Sequence, residues 1–456
     1  MGIVVLCLYA AALFFLTFRV RKGSTEDSFF VNSRSSGPFG VGFAIVAACV
    51  GASATIGVVG MAFTLGTPAF WWSGVGAAGL LVLGIFLAGK VRRTRAATMP
   101  QIVEKFLGAS VRPLVSAVIV AAWLAILAAE FSAARQIVAS LTALPAVVCL
   151  LISTALIVVH TSGGGQAAIM RLGGAQSALK FGGLAVALGW LTWRNPRWFS
   201  AVSIEPVNAL FPVSRLVYYC FIIGGGYIVC PMLYGRLLSA KDVKSARHGA
   251  IIAAGGLACS SVLIVCVGLA CRGMIPADTL PDAVLTVSLA SVLPGWLNVL
   301  TLLALLCAIV SAADACLLTA GTILSRDLLQ RQTRAVCRVC VIVLGGLGAA
   351  LSFMNKSIID FLLMSYDIYV CGVVLPVLIG IVTNARRDMD PRFAFLAVLA
   401  GGILGGVSSF SGSVAWSYAG LAASLSLTLF GLRGKRANNP RGEGATPPVT
   451  STPPSR

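Results

Sequence analysis

Apolar runs long enough to cross a bilayer follow one another along the chain at approximately 2–20, 38–65, 70–89, 113–136, 143–160, 165–190, 212–235, 249–271, 296–322, 335–353, 358–383, 393–410 and 413–432, with polar and basic residues gathered in the short segments between them. A membrane-crossing helix needs about 20 such residues. The pattern therefore predicts an all-α polytopic membrane protein of about 13 transmembrane helices. Two runs are irregular. The middle of the second, Ala47-Ala48-Cys49-Val50-Gly51-Ala52-Ser53, contains only small residues. Such residues serve either a continuous helix that packs closely on its neighbours or a helix that breaks. Unpaired backbone at membrane depth is tolerated only inside protein or beside a water-filled cavity, so a break would offer carbonyls and amides to a ligand at the midplane. The seventh run, LVYYCFIIGGGYIVCPMLYGR, carries Gly224-Gly225-Gly226 and then Pro231, a second strong breaking signal. The two lie five spans apart, so the second half is inverted relative to the first. Paired interruptions at corresponding positions point to a transporter binding site, and the coincidence favours breaks in both.

Composition agrees with a membrane protein. Of 456 residues, 58% are hydrophobic and 11% charged, against roughly 25% charged in soluble domains. A net charge of +19 would suit a nucleic-acid partner, but its placement argues otherwise. With the N-terminus outside, inward segments hold 27 of the 34 Lys and Arg residues, outward ones six, and Lys180 lies within a span. That asymmetry is the positive-inside rule, and it predicts a cytoplasmic-membrane protein with its C-terminus inside. The 13 Cys residues fall mostly within spans and read as small packing residues. The first span is too long, and lacks the basic start, for a cleavable signal. The Pro-rich segment 433–456 is expected to be a disordered cytoplasmic tail. No Ser-His-Asp set, zinc spacing, HExxH or phosphate loop is present, so no enzyme chemistry and no cofactor is expected. The expected partners are a small organic solute and the lipid bilayer, with no obligate protein partner inferred.

Polar residues inside spans are the candidates for chemistry. Glu130, in the fourth span, suits a cationic part of a solute or a proton relay, or else an ion pair with Arg135. Tyr366 and Asp367, in the eleventh, divide the same way. Ser311 and Asp314 share one face of the ninth. Asp360, His160 and His248 sit at span ends and read as surface groups. Lys180 is the most informative. An intramembrane Lys costs on the order of 2.5–3.5 kcal/mol by insertion scales, so it should have a partner or a function.

The runs FFVNSRSSGPFGVGF and AACVGASATIGVVGMAFTLG, then RRTRAATMPQIVEKFLG, PMLYGRLLSAKDVKSARHG and AIVSAADACLLTAGTILSRDL, resemble in order the sodium/solute symporters, which include the sodium/proline and sodium/glucose cotransporters. The resemblance implies a five-plus-five inverted-repeat core with two broken helices. The expected parts are an extra span and inner loop at 1–36, repeats at 37–193 and 194–383, and two C-terminal spans at 384–432. It also implies a sodium site between the second and ninth spans, formed by the carbonyls of Ala47, Val50 and Ala308 and the hydroxyl of Ser311. The fifth position, normally a Ser or Thr, is Ala312, with Asp314 a turn away as a possible substitute. The acidic residue that many relatives carry in the sixth span aligns near Gly173 and is missing, and Lys180 stands two turns further on the same face. Some proton-coupled amino-acid transporters of this fold place a lysine from the equivalent helix in that ion site. Lys180 either replaces the ion or holds helices together. Substrate contacts carried over from the family fall on Cys49, Ser53, Ala54, the Gly224–Gly226 region with Gly225, Glu130, Tyr366 and Asp367.

Together these features predict a secondary transporter using alternating access, coupled to sodium or, given Ala312 and Lys180, to protons or to neither. A membrane sensor of the same fold would need a long cytoplasmic domain. A channel would need a ring of like charges lining a pore.

Overall fold

The structure is a computed structural model that describes residues 2–21, 25–354, 356–384 and 389–438. These residues form helices joined by short loops, with two isolated bridges and no extended strand among them. Eleven helices are long and apolar enough to span a membrane, and the bent pair Pro38–Cys49 and Ser53–Leu65 makes a twelfth span. One of the eleven, Ala146–Arg194, has 49 residues, about 73 Å at 1.5 Å per residue and over twice the bilayer core. It bends at Gly165, whose φ of 59° and ψ of −160° suit glycine alone. A side chain there would also collide with the Phe29 ring. The bend divides this helix into the fifth and sixth spans and brings the total to the expected thirteen. The segment predicted to be a loop, 161–164, is helical. The thirteenth span's helix, Val414–Asn438, runs past Leu432, so residues 433–438 belong to it rather than to a disordered tail. Residues 439–456 lie outside the described residues.

Local chemistry starts several spans cleanly. The side chains of Thr98, Asp242 and Ser357 accept the amides of Gln101, Ser245 and Asp360, capping Met99–Leu107, Val243–Ala270 and Ile358–Tyr369. Such caps contribute about 1 kcal/mol each. The Ser245 amide holds the Asp242 carboxyl below the usual carboxylate range. The inner half of the second span, Pro38–Cys49, packs against the eighth, Val243–Ala270, and against the sixth. Gly249 and Gly42 let it approach closely, since a methyl at either would press on Val41 or Ile252. The ninth span, Gly295–Ile323, lies against the fourth, fifth and sixth and is buried over most of its length.

At the end rich in basic residues, Arg112 pairs with Glu104 and with the buried Asp327, both at 2.8 Å, and Thr98 donates to Asp327 at 3.1 Å. This cluster ties the fourth span, the amphipathic helix Met99–Leu107 and the ninth span together. The opposite end carries two open clefts of about 610 and 510 Å³ that share Arg215, Lys356 and Asp360.

Candidate functional site

The second span ends its first helix at Cys49. Val50 leaves helical geometry at φ −101° and ψ 74°, and the chain turns through 68° before Ser53–Leu65. The run of small residues thus forms a break. The break orphans backbone groups, which must find partners where no water reaches. Lys180 supplies most of them. Its side chain is fully buried, and Nζ donates to the carbonyls of Ala47 at 2.9 Å and Val50 at 3.1 Å and to Ser311 Oγ at 3.3 Å. An ammonium has three N–H groups, and all three are used. Ser311 Oγ donates in turn to Ala47 O at 2.7 Å and Ala308 O at 3.1 Å. Lys180 therefore sits among the four residues whose oxygens the family resemblance assigns to sodium. On the other side of the break, both carboxylate oxygens of Glu130 accept the Ala52 amide, at 3.1 and 3.2 Å.

The second break lies elsewhere than its glycines suggested. Gly224, Gly225 and Gly226 are helical, and the helix stops at Ile228, with Val229 and Cys230 extended before Pro231 starts the next turn. Proline disfavours a helical residue before it, and the break lies at Pro231 rather than at the glycines. The chain nonetheless continues as a single 26-residue span, Val213–Leu238. Here tyrosines satisfy the backbone. Tyr369 donates to Val229 O at 2.6 Å and Tyr234 to Ile228 O at 3.3 Å.

Between the breaks lies a small cavity of about 50 Å³. Of the predicted contacts, Cys49, Ser53, Gly226, Glu130 and Tyr366 line it, as does Ala312. Ala54 and Gly225 do not. Gly225 faces Val370 and Val374, because the helix containing it is intact. Asp367 also points away. It accepts from Tyr218 at 2.7 Å and Ser417 at 2.8 Å and lines the open 610 Å³ cleft, one residue's rotation from Tyr366. Glu130 makes no ion pair with Arg135 among the described residues, its oxygens being committed to Ala52. Sequence reasoning missed Tyr227, Cys230, Met232 and Cys316, which also line it. Only their nearness to the breaks could have marked them.

Asp314 is not part of the oxygen set. Its carboxylate accepts from Thr161 at 2.5 Å and lies 2.5 Å from His160 Nδ1. His160 is accordingly buried rather than at a surface, because the helix does not end there. His248 and Asp360 are exposed, as expected. Among the described residues, no group of three or more His, Cys, Asp or Glu is placed to hold a metal ion.

The cavity floor tolerates no added volume at Gly51, where a methyl would collide with Glu130 Oε1 and the Ala312 methyl. Overpacking of this kind costs about 1–3 kcal/mol. Gly51→Ala is expected to reduce solute uptake at least tenfold while the protein remains folded, as read by uptake and thermal stability on the same preparation.

Residues 29–192 match the model of the sodium:solute symporter family. Over 427 residues the chain is 25% identical to the sodium/pantothenate symporter of Escherichia coli (strain K12), covering 85% of this chain and 86% of that one. A Na+-coupled sialic acid symporter in a substrate-bound outward-open state superposes with a TM-score of 0.81 at 14% identity, over 96% of this chain and 98% of that one. MhsT in complex with L-phenylalanine gives 0.60 at 14% identity, over 87% and 98% of the two chains. The inward-facing conformation of Mhp1 gives 0.57 at 16%, over 89% and 92%. The structural likenesses establish a shared fold, and the sequence matches show that the chain is similar to the sodium:solute symporter family over residues 29–192.

Proposed function

We propose that this chain is a secondary active transporter, a symporter of a small organic solute, in which the Lys180 ammonium takes the place of a coupling sodium ion. The observation that carries this reading is the hydrogen bonding of Lys180 Nζ to Ala47 O, Val50 O and Ser311 Oγ. A cation already bonded to those oxygens leaves sodium no room among them, and the Ala312 methyl offers none of the oxygen ligands a hard cation requires. The solute binds between the two breaks, beside Cys49, Ser53, Glu130 and Tyr366. Repeats at 37–193 and 194–383 rock against each other to open the site alternately to either side. The N-terminus lies outside and the C-terminus inside the cytoplasmic membrane, which the basic inner loops support. A buried lysine is able to exchange its proton as the site is alternately hydrated and closed, which would couple transport to protons.

The test is uptake into proteoliposomes under separate sodium and proton gradients, with pantothenate, named for the bacterial relative, among the first solutes assayed. Uptake is expected to be unchanged within about twofold when sodium is replaced by potassium. A steep sodium requirement, together with an active Lys180→Ala variant, would refute the lysine proposal.

A further inference from the structure

Arg236 is the largest side chain with no solvent exposure in the described structure. It stands on the helix Pro231–Leu238, just beyond the second break, and it belongs to none of the ion pairs found among the described residues. Side chains on a helix point back toward its N-terminus, and Arg236 follows that rule. Its Nη1 donates to Met232 O at 2.5 Å, which holds the guanidinium over the turn nearest the cavity. Met232, whose carbonyl it bonds, lines that cavity together with Cys49, Cys230 and Cys316. The other two nitrogens, Nε and Nη2, are buried and have no hydrogen-bond partner. These two form the side-on edge of the guanidinium. Their N–H groups run parallel at a spacing that matches the two oxygens of a carboxylate.

Charge accounting points the same way. Around the two breaks lie two buried cations, Lys180 and Arg236, and one buried carboxylate, Glu130. Buried charges are ordinarily paired, and a carboxylate on the free edge of Arg236 would balance the set. Nε and Nη2 have no acceptor among the described residues.

We propose that the transported solute is a small carboxylate and that the Nε–Nη2 edge of Arg236 receives its carboxylate at the inner rim of the central cavity. This rests on the transport reading but extends it to a substrate class. Arg236 lies in the last turn of the helix Pro231–Leu238, two turns at most from the second break.

The experiment uses the full chain in lipid nanodiscs and follows thermal stability with acetate, lactate, L-proline and pantothenate, each against its neutral amide or alcohol counterpart, and with chloride and phosphate as inorganic anions. At least one carboxylate is expected to raise the melting temperature by 3 °C or more at millimolar concentration, and its neutral counterpart and chloride are not. Arg236→Lys keeps the charge but loses the fork, and is expected to weaken that carboxylate at least tenfold. Equal stabilisation by the neutral counterpart, an undiminished response in Arg236→Lys, stabilisation by any inorganic anion alone, or none by any carboxylate would each overturn the proposal. If Arg236→Lys fails to fold, the carboxylate-to-neutral comparison on the unmodified chain decides. Uptake into vesicles is read separately. Carboxylate binding without uptake would keep the site and remove transport. Uptake of a neutral or cationic solute, undisturbed by Arg236→Lys, would keep transport and remove the site.

Discussion

Uptake by a Lys180→Met variant is expected to fall at least 100-fold, whatever the solute. The loss corresponds to ~2.7 kcal/mol in the rate-limiting barrier. Methionine fills much the same volume but has no donor, so Val50 O loses its partner, Ala47 O keeps only Ser311, and Ser311 Oγ loses an incoming bond. A buried acceptor left unsatisfied costs about 1–3 kcal/mol, and here the acceptors belong to the break itself. The hinge that has to repack during alternating access would then be the part left without defined bonding. A structural lysine and an ion-replacing lysine both predict that loss. A second variant separates them. Lys180→Ala combined with Ala312→Ser removes the fixed cation and supplies the hydroxyl that relatives carry. If the ammonium stands in a former sodium site, sodium should now raise the melting temperature of the double variant in a saturable way, while potassium does not. The unmodified chain should show no such response. A sodium-stabilised wild type, or a fully active Lys180→Met, would remove the claim.

The thirteen spans were legible because apolar length alone decides what crosses a bilayer, and tertiary packing cannot override it. The first break was legible for a related reason. Seven small residues in a row give side chains no means of shielding an open helix, so an opening there must be served by other helices. The second break was misplaced by a turn. Glycine weakens a helix by about 1 kcal/mol, but Gly224–Gly226 are flanked by well-packed residues and stay helical. Proline disfavours a helical conformation at the residue before it, and the extended Val229 and Cys230 directly precede Pro231. Asp367 and Tyr366 were taken as a pair, although adjacent helical residues point about 100° apart and cannot share a wall. Arg236 counted as one more inner-loop charge. Nothing in sequence position shows that its helix begins at membrane depth and carries the guanidinium inward. Lys180 was legible because a charge inside a span has no neutral explanation.

His160 and Asp314 supply the largest expected stability effect. Asp314 was a candidate to complete an oxygen set for sodium, while His160 was read as a surface group. The two are in contact, both almost completely buried, and Thr161 donates to the same carboxylate. His160 Nδ1 lies 2.5 Å from Asp314 Oδ2. The pair fastens the fifth span to the ninth, one turn from Ser311. Removing one partner of a buried pair costs about 3–5 kcal/mol, because the other stays buried without compensation. Asp314→Ala is therefore expected to lower the melting temperature by roughly 5–10 °C. Asp314→Asn, which keeps an acceptor for Thr161, should lose about half as much. The double variant His160→Ala/Asp314→Ala should be more stable than the sum of the single losses predicts, by about 1–3 kcal/mol. None of these losses should depend on sodium concentration. A loss that sodium reverses would return Asp314 to the cation site. Strictly additive losses would mean that the two side chains only lie next to each other. In this conformation the pair joins the fifth span to the ninth, and Lys180 joins the sixth span to the second at Ala47 and Val50 and to the ninth at Ser311.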